Sequence, residues 1–172
     1  MGWILLLALA ALAATVAAVA RRGLATLQDS REEAWQALET QLEKRHAHMI
    51  RIVGLCGRLM KYERDALDRV TGSGSAVIAA ARRGNMPALA AADKTYREAV
   101  EALFRLAANY PQFGTSRAFE SLRERAMTLD RRVDERRERY NGVVSVLNVR
   151  CGAFPYSIVA RTMRMRPAAY LS

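Results

Sequence analysis

Residues 21–70 read RRGLATLQDSREEAWQALETQLEKRHAHMIRIVGLCGRLMKYERDALDRV. In that stretch Leu24, Leu27, Ala34, Leu38, Leu42, His46, Met49, Val53, Cys56, Met60, Leu67 and Val70 recur at steps of three, four or seven. Such spacing lays side chains along one face of an α-helix. Polar Arg31 and Glu63 interrupt the stripe but no Pro breaks it, so one long helix is predicted over 21–70.

Upstream, residues 2–20 (GWILLLALAALAATVAAVA) carry no ionisable side chain. A helix of that length reaches roughly 30 Å, close to the hydrocarbon thickness of a bilayer. Without a polar face it does not fit a buried core helix, which leaves a membrane anchor or a cleaved signal peptide. Ala18-Val19-Ala20 has the small residues of a cleavage site. No basic residue precedes the apolar run, however, whereas Arg21 and Arg22 follow it directly. That arrangement favours an anchor whose C-terminal side faces the cytoplasm. Trp3 stands where an interfacial aromatic belongs. With no later run of similar length, a single span is expected, continuing into the charged remainder with little or no bend.

Downstream, Thr71, Gly72, Ser73, Gly74 and Ser75 form the first strong breaker and predict a flexible turn, followed by a short helix over 76–83. Pro87 suits the first turn of a helix over 87–109, and Tyr110-Pro111 stops it. Ser116 is placed to cap a third long helix carrying Phe119, Leu122, Ala126, Leu129, Val133, Tyr140, Val144, Leu147 and Cys151 on one face. Phe154-Pro155 ends that helix, and a short amphipathic piece over 157–163 leads to the C-terminus. The fold class is therefore all-α: an N-terminal transmembrane helix at 1–20, then an antiparallel helical bundle at 21–172. Trp35 and Tyr140 are expected in its interior. Aromatic residues at 7% and only 10 Gly and 4 Pro among 172 residues weigh against a β-sandwich or barrel.

The chemistry-bearing residues are few. His46 and His48, two apart, point about 200° away from each other on a helix, the wrong geometry for sharing a metal. Glu43 and His46 form one Glu-x-x-His, but the second such unit of a di-metal bundle is missing. His46 is thus read as a packed or hydrogen-bonded helix residue. Cys56 and Cys151 fall on apolar stripes as small hydrophobes, and their redox state follows from which side of the membrane they face. Gly72-Ser73-Gly74 lacks the Gly-Lys-Ser/Thr of a phosphate loop. No cofactor, metal or catalytic set is expected, and the protein is read as a non-enzyme.

The formal net charge is +10, and all basic residues except Lys44, Lys61 and Lys94 are arginines. The densest run, 130–139, alternates Arg131, Arg132, Arg136, Arg137 and Arg139 with Asp130, Asp134, Glu135 and Glu138. Arg131/Glu135 and Glu135/Arg139 stand at i, i+4 spacing, so this run is expected to be a solvated, ion-paired face rather than a nucleic-acid surface. No acid follows Glu138, which leaves Arg150, Arg161, Arg164 and Arg166 uncompensated. Arg161, Arg164 and Arg166 are a candidate lipid-facing patch, since each basic residue near an anionic surface contributes about 1 kcal/mol.

Several spaced motifs resemble the LemA family of bacterial membrane-anchored helical proteins over about 31–171. They are Glu33-Ala34-Trp35, Gln41-Leu42 with Lys44-Arg45-His46, Tyr110-Pro111 with Phe119 and Leu122, Arg132-Val133, Arg136-Arg137, Tyr140-Asn141, Asn148, Phe154-Pro155, Ala160, Pro167-Ala168 and Tyr170. This sequence departs from the family pattern in four places. Ile50-Arg51 replaces a Pro-Asn, Leu59 a Tyr, Leu147 the Tyr of a second Tyr-Asn, and Arg164-Met165 a Gly-Phe. The resemblance implies a short N-terminus outside, a helical bundle inside, no known catalytic activity and a place in the bacterial inner membrane. It marks Trp35, Arg45, His46, Tyr110, Pro111, Arg132, Arg137, Tyr140, Asn141, Asn148, Phe154 and Pro155 as structural or partner-binding positions. It also implies partners: the lipid bilayer, and a membrane protein such as a membrane zinc metalloprotease or a second copy. The leading expectation is a scaffold or adaptor; the alternative is membrane remodelling or magnetosome-like vesicle organisation through the basic C-terminal surface.

Overall fold

A computed structural model of the chain describes residues 2–171. Helices α1 (Gly2–Leu59), α2 (Arg64–Arg82), α3 (Met86–Ala107), α4 (Pro111–Gly114), α5 (Arg117–Gly152) and α6 (Tyr156–Thr162) follow one another. The structure is 86% helical and no strand occurs among the described residues, so the all-α class holds. Two compact units form, one from 2–35 and 139–170, the other from 36–138 with 171.

The unit of 36–138 is an up-down-up-down arrangement of α1, α2, α3 and α5. Glu43 of α1 pairs with Arg82 of α2, while Leu67 at the other end of α2 lies beside Gly57, so α2 runs antiparallel to α1. Arg97 of α3 meets Asp134 of α5, and Phe104 meets Phe119, so α3 and α5 are antiparallel too. Leu38, Ile52, Met60, Val70, Val77, Leu89 and Leu103 fill the interior.

Two helix boundaries differ from the sequence reading. The long helix ends at Leu59 rather than running to Val70. Met60 and Leu67 are both buried but belong to opposite sides of a turn over 60–63; because they are seven residues apart, the stripe passes through the break without a visible fault. The predicted flexible turn at Thr71, Gly72, Ser73, Gly74 and Ser75 is instead the middle of α2. There the hydroxyls of Thr71, Ser73 and Ser75 donate to the carbonyls of Leu67, Arg69 and Thr71 four residues back, at 3.1, 2.7 and 3.0 Å, which spares them a partner outside the helix. Gly74 is required for packing: a Cβ there would lie 2.9 Å from His46 Cε1 and 3.3 Å from Tyr96 Cε2. Tertiary contact overrides the low helix propensity of this segment.

Other boundaries agree. Asn85 accepts from the Ala88 amide at 3.0 Å to begin α3, with Pro87 in its first turn. Ser116 accepts from the Phe119 amide at 3.2 Å to begin α5. The helix over 76–83 is the C-terminal part of α2, which ends with Gly84 at φ +62°.

In the other unit, α1 and α5 run antiparallel. Tyr156 and Arg150 approach Gly23, Leu24 shares a buried cluster with Leu147 and Ala160, and Trp35 packs against Tyr140 with ring centroids 5.4 Å apart and planes tilted by 59°. After Gly152 the chain turns, the Phe154-Pro155 peptide is cis, and α6 leaves at 96° to α5. Residues 2–19 are helical and exposed throughout; burial in α1 begins at Ala20.

Candidate functional site

The most concentrated chemistry lies where α1, α3 and α5 meet. Arg45 projects from α1 with its side chain 4% exposed. Its guanidinium pairs with Asp93 of α3, donates to Asp130 of α5 at 2.8 Å, and lies 4.5 Å from the Tyr96 ring centroid. Arg97, one turn beyond Asp93, donates to Asp93 at 2.9 Å, to Asp130 at 2.8 Å and to Asp134 at 2.7 Å. Arg137 reaches Asp134 at 3.0 Å. Three arginines thus face three aspartates, and the planar guanidinium fork suits each shared contact. Burial alone would raise the Asp93 carboxyl, but the charges and hydrogen bonds of Arg45 and Arg97 hold it below the ordinary carboxylate range. Burial pushes the Tyr96 phenol up to about 12, so it stays neutral.

Beside this network lies a cavity of about 470 Å³, with Met49, Val100, Phe104, Ala126 and Met127 among its apolar walls. Arg105 and Arg123 stand at its rim, already paired with Glu101 at 2.7 Å and Glu120 at 3.8 Å. Deeper in the same unit, His48 donates from Nε2 to the Leu122 carbonyl at 2.8 Å. His46 packs over Gly74, and its Nδ1 is buried without a hydrogen-bond partner. Burial, then the positive charge of Arg45, lowers the His46 pKa. Burial pushes the Cys56 thiol up to about 11 and also raises Cys151, so neither is a ready nucleophile at neutral pH.

In the unit of 2–35 and 139–170, three hydrogen bonds tie side chains of α5 to the backbone of the C-terminal tail. The Tyr140 hydroxyl donates to the Ala169 carbonyl at 3.2 Å. The Asn148 amide donates to the Ala168 carbonyl at 3.0 Å and accepts from the Ala168 amide at 2.9 Å, pinning the C-terminal strand of chain along α5. Arg164 ends α6 in the left-handed region at φ 53°. Its amide donates to Arg161 at 3.1 Å and that of Met165 to Ala160 at 3.0 Å, the hydrogen-bond pair of a helix stopped on a left-handed residue.

The sequence model of the LemA family matches residues 34–172. The chain belongs to the LemA family. No curated protein matches it in sequence.

The LemA motif residues divide by what they touch. Arg45 and Arg137 belong to the charge network and His46 packs beside it. Tyr140 is buried and Asn148 holds the tail. Trp35 is half-buried, not interior: it covers the Tyr140 ring from the outer side of the pair. Tyr110 packs on Phe113, with Pro111 opening α4, and Phe113 stacks on Phe119 at 4.5 Å. Asn141 and Pro155 are half-buried, whereas Arg132 and Phe154 are exposed. The candidate patch residues Arg161, Arg164 and Arg166 are all exposed.

The arginine-rich run is only partly the solvated face expected of it. Among the described residues no ion pair joins Arg131 to Glu135 or Glu135 to Arg139; the acids that pair are Asp130 and Asp134, and they turn toward Arg97, Arg45 and Arg137. Asp93 and Arg97 were not singled out from the sequence. The available signal was Asp93 standing in the stripe Leu89, Tyr96, Val100, where an apolar residue belongs. Arg164, which the sequence reading marks as a departure from a Gly, stands at the position of positive φ, which glycine adopts without strain.

Proposed function

We propose that this LemA protein is a single-pass membrane scaffold or adaptor without catalytic activity, its packed helices held at the cytoplasmic face of a bacterial inner membrane. The observation that carries this reading is the change along α1: residues 2–19 are apolar and uncovered, and burial starts at Ala20 on the same unbroken helix. Eighteen consecutive exposed residues, apolar but for Thr15 whose hydroxyl donates back to the Ala11 carbonyl, are costly in water and favourable in hydrocarbon, and Arg21 and Arg22 at the boundary favour the cytoplasmic side. The exposed faces of the helices are the surfaces offered to a partner, for which a membrane protein, including a membrane metalloprotease, or a second copy is the expected class. Nucleic acid is not expected, because the run of 130–139 sets five arginines against four acids, a surplus of only one.

Crosslinking in intact cells at native abundance, followed by identification of neighbours, tests the scaffold reading. Recovery of a defined membrane protein supports it; capture of none contradicts it. The second reading, membrane organisation through the basic surface, draws on the exposure of Arg161, Arg164 and Arg166. It predicts that proteoliposomes of the full chain change size or shape with anionic lipid, and that neutralising the three arginines abolishes the change.

A further inference from the structure

The turn between α5 and α6 exposes an unusual amount of apolar surface for a charged protein. Phe154 is 81% exposed, Val149 68% and Ile158 58%. Phe154 and Ile158 flank one turn of chain, with exposed Arg150 and Arg161 on either side. No acidic residue occurs anywhere after Glu138. In water this elbow is an unsatisfied patch of large side chains; at a lipid headgroup layer the same combination of apolar tips and arginines is stabilised.

Its position is set by the pairing of α1 with α5. Trp35 meets Tyr140, Leu24 clusters with Leu147, and Gly23 lies against Arg150 and Tyr156. As α1 is followed toward its N-terminus α5 therefore advances toward its C-terminus, about one residue for one. Gly152 comes level with about Arg21 and Arg22, and Phe154 with the last residues of the apolar run. Burial of Ala20, the first covered residue of α1, marks the same level.

We infer that the α5–α6 elbow is a second membrane contact, with Phe154 and Ile158 bedded among the headgroups and upper acyl chains of the leaflet from which α1 emerges, and Arg150 and Arg161 on lipid phosphates. The inference rests on the reading of 2–20 as a membrane span. A lone span leaves the chain free to tilt and to rotate about the α1 axis in the bilayer; a second contact beside it fixes that orientation, which is what presenting a surface to a membrane partner requires. Arg164 and Arg166 follow α6 on the tail that returns to Asn148, so they lie farther from the bilayer than Arg161.

Nitroxide labels placed on the full chain in liposomes of zwitterionic and anionic lipid test this. The substitutions Leu9→Cys, Arg131→Cys, Phe154→Cys and Ile158→Cys are each made with Cys151→Ala, leaving Cys56, whose buried thiol does not label. Collision with oxygen, enriched in lipid, is compared with collision with a water-soluble nickel complex. The expected oxygen-to-nickel ratio is highest at 9, several-fold above that of 131 at both 154 and 158, and larger at the last two in anionic lipid. A membrane-embedded label at 9 with 154 and 158 as water-accessible as 131 overturns the second contact and leaves the span intact. Water access at 9 overturns both. Strong spin–spin coupling between copies at 154 assigns the patch to self-association instead, and equally overturns the inference.

Discussion

Where α1 pairs with α5 near the apolar segment, the helices are joined by a tilted pair of rings and a small buried cluster, and α5 holds the C-terminal tail by hydrogen bonds to its backbone carbonyls. Where α1, α3 and α5 meet in the other unit, they are joined by six charges around a nearly buried guanidinium. The same two helices serve both units, so the difference lies in side chains rather than in topology. Apolar and backbone contacts tolerate small shifts of register. A shared set of three aspartates and three arginines does not, because Arg45 must meet α3 and α5 at once while Arg97 holds the same two aspartates. The charge network thus fixes which residues of α1, α3 and α5 stand level, at the expense of desolvating ions that an apolar core would leave in water.

This contrast can be broken most severely at Arg45. Arg45→Ala leaves Asp93 and Asp130 facing each other without their main counter-charge, and the expected loss is about 3–5 kcal/mol. Hydrogen exchange should accelerate in α2, α3 and 117–138 and change little in 140–168; uniform acceleration would show that the two units do not differ as described. In the apolar unit the comparable lesion is Tyr140→Ala, expected to cost about 3 kcal/mol for a buried aromatic. Trp35→Ala should cost clearly less, since Trp35 is only half-buried. Equal melting shifts for the two variants would contradict that assignment.

Acid separates the units by mechanism. Because the folded state holds the Asp93 carboxyl below its usual range, its stabilisation is complete above about pH 4, the unfolded value, and is lost as pH falls through the lower folded one. The exchange protection of α3 should therefore drop below pH 4, and Asp93→Asn should remove most of that dependence. The smallest effect expected is a gain. Arg164 adopts a left-handed conformation that disfavours any residue with a Cβ, so Arg164→Gly should stabilise the apolar unit by about 1 kcal/mol. A melting temperature unchanged or lowered by that substitution would mean that the arginine side chain compensates for the backbone.

Much of this architecture was legible from spacing alone. The stripes at 24–56 and 119–147 name most of the buried residues of α1 and α5, and the breaks at Tyr110-Pro111 and Phe154-Pro155 end helices because proline lacks a donor. The turn after Leu59 was hidden, since seven residues is a helical repeat whether or not the chain turns between Met60 and Leu67. Gly72, Ser73 and Gly74 misled for the opposite reason: local propensity favours a turn, and only contact with His46 and Tyr96 reveals why small residues stand there. The charge network was hidden because Asp130 and Asp134 lie in a run that balances its own charge, and nothing in a linear count shows which way a carboxylate faces. Spacing makes Phe154 part of a helix stop and the family resemblance marks it as a structural or partner-binding position; its place beside the end of the apolar run follows from the pairing of α1 with α5.

The exposed apolar helix of 2–19 bears most weight, and its fate in cells can be measured directly. Intact mass spectrometry of the protein recovered from carbonate-washed membranes should give the full-length chain, residues 2–20 included, wholly in the membrane fraction. A product beginning near Arg21 and released by the wash would identify the apolar run as a cleaved signal and contradict the membrane-tethered reading.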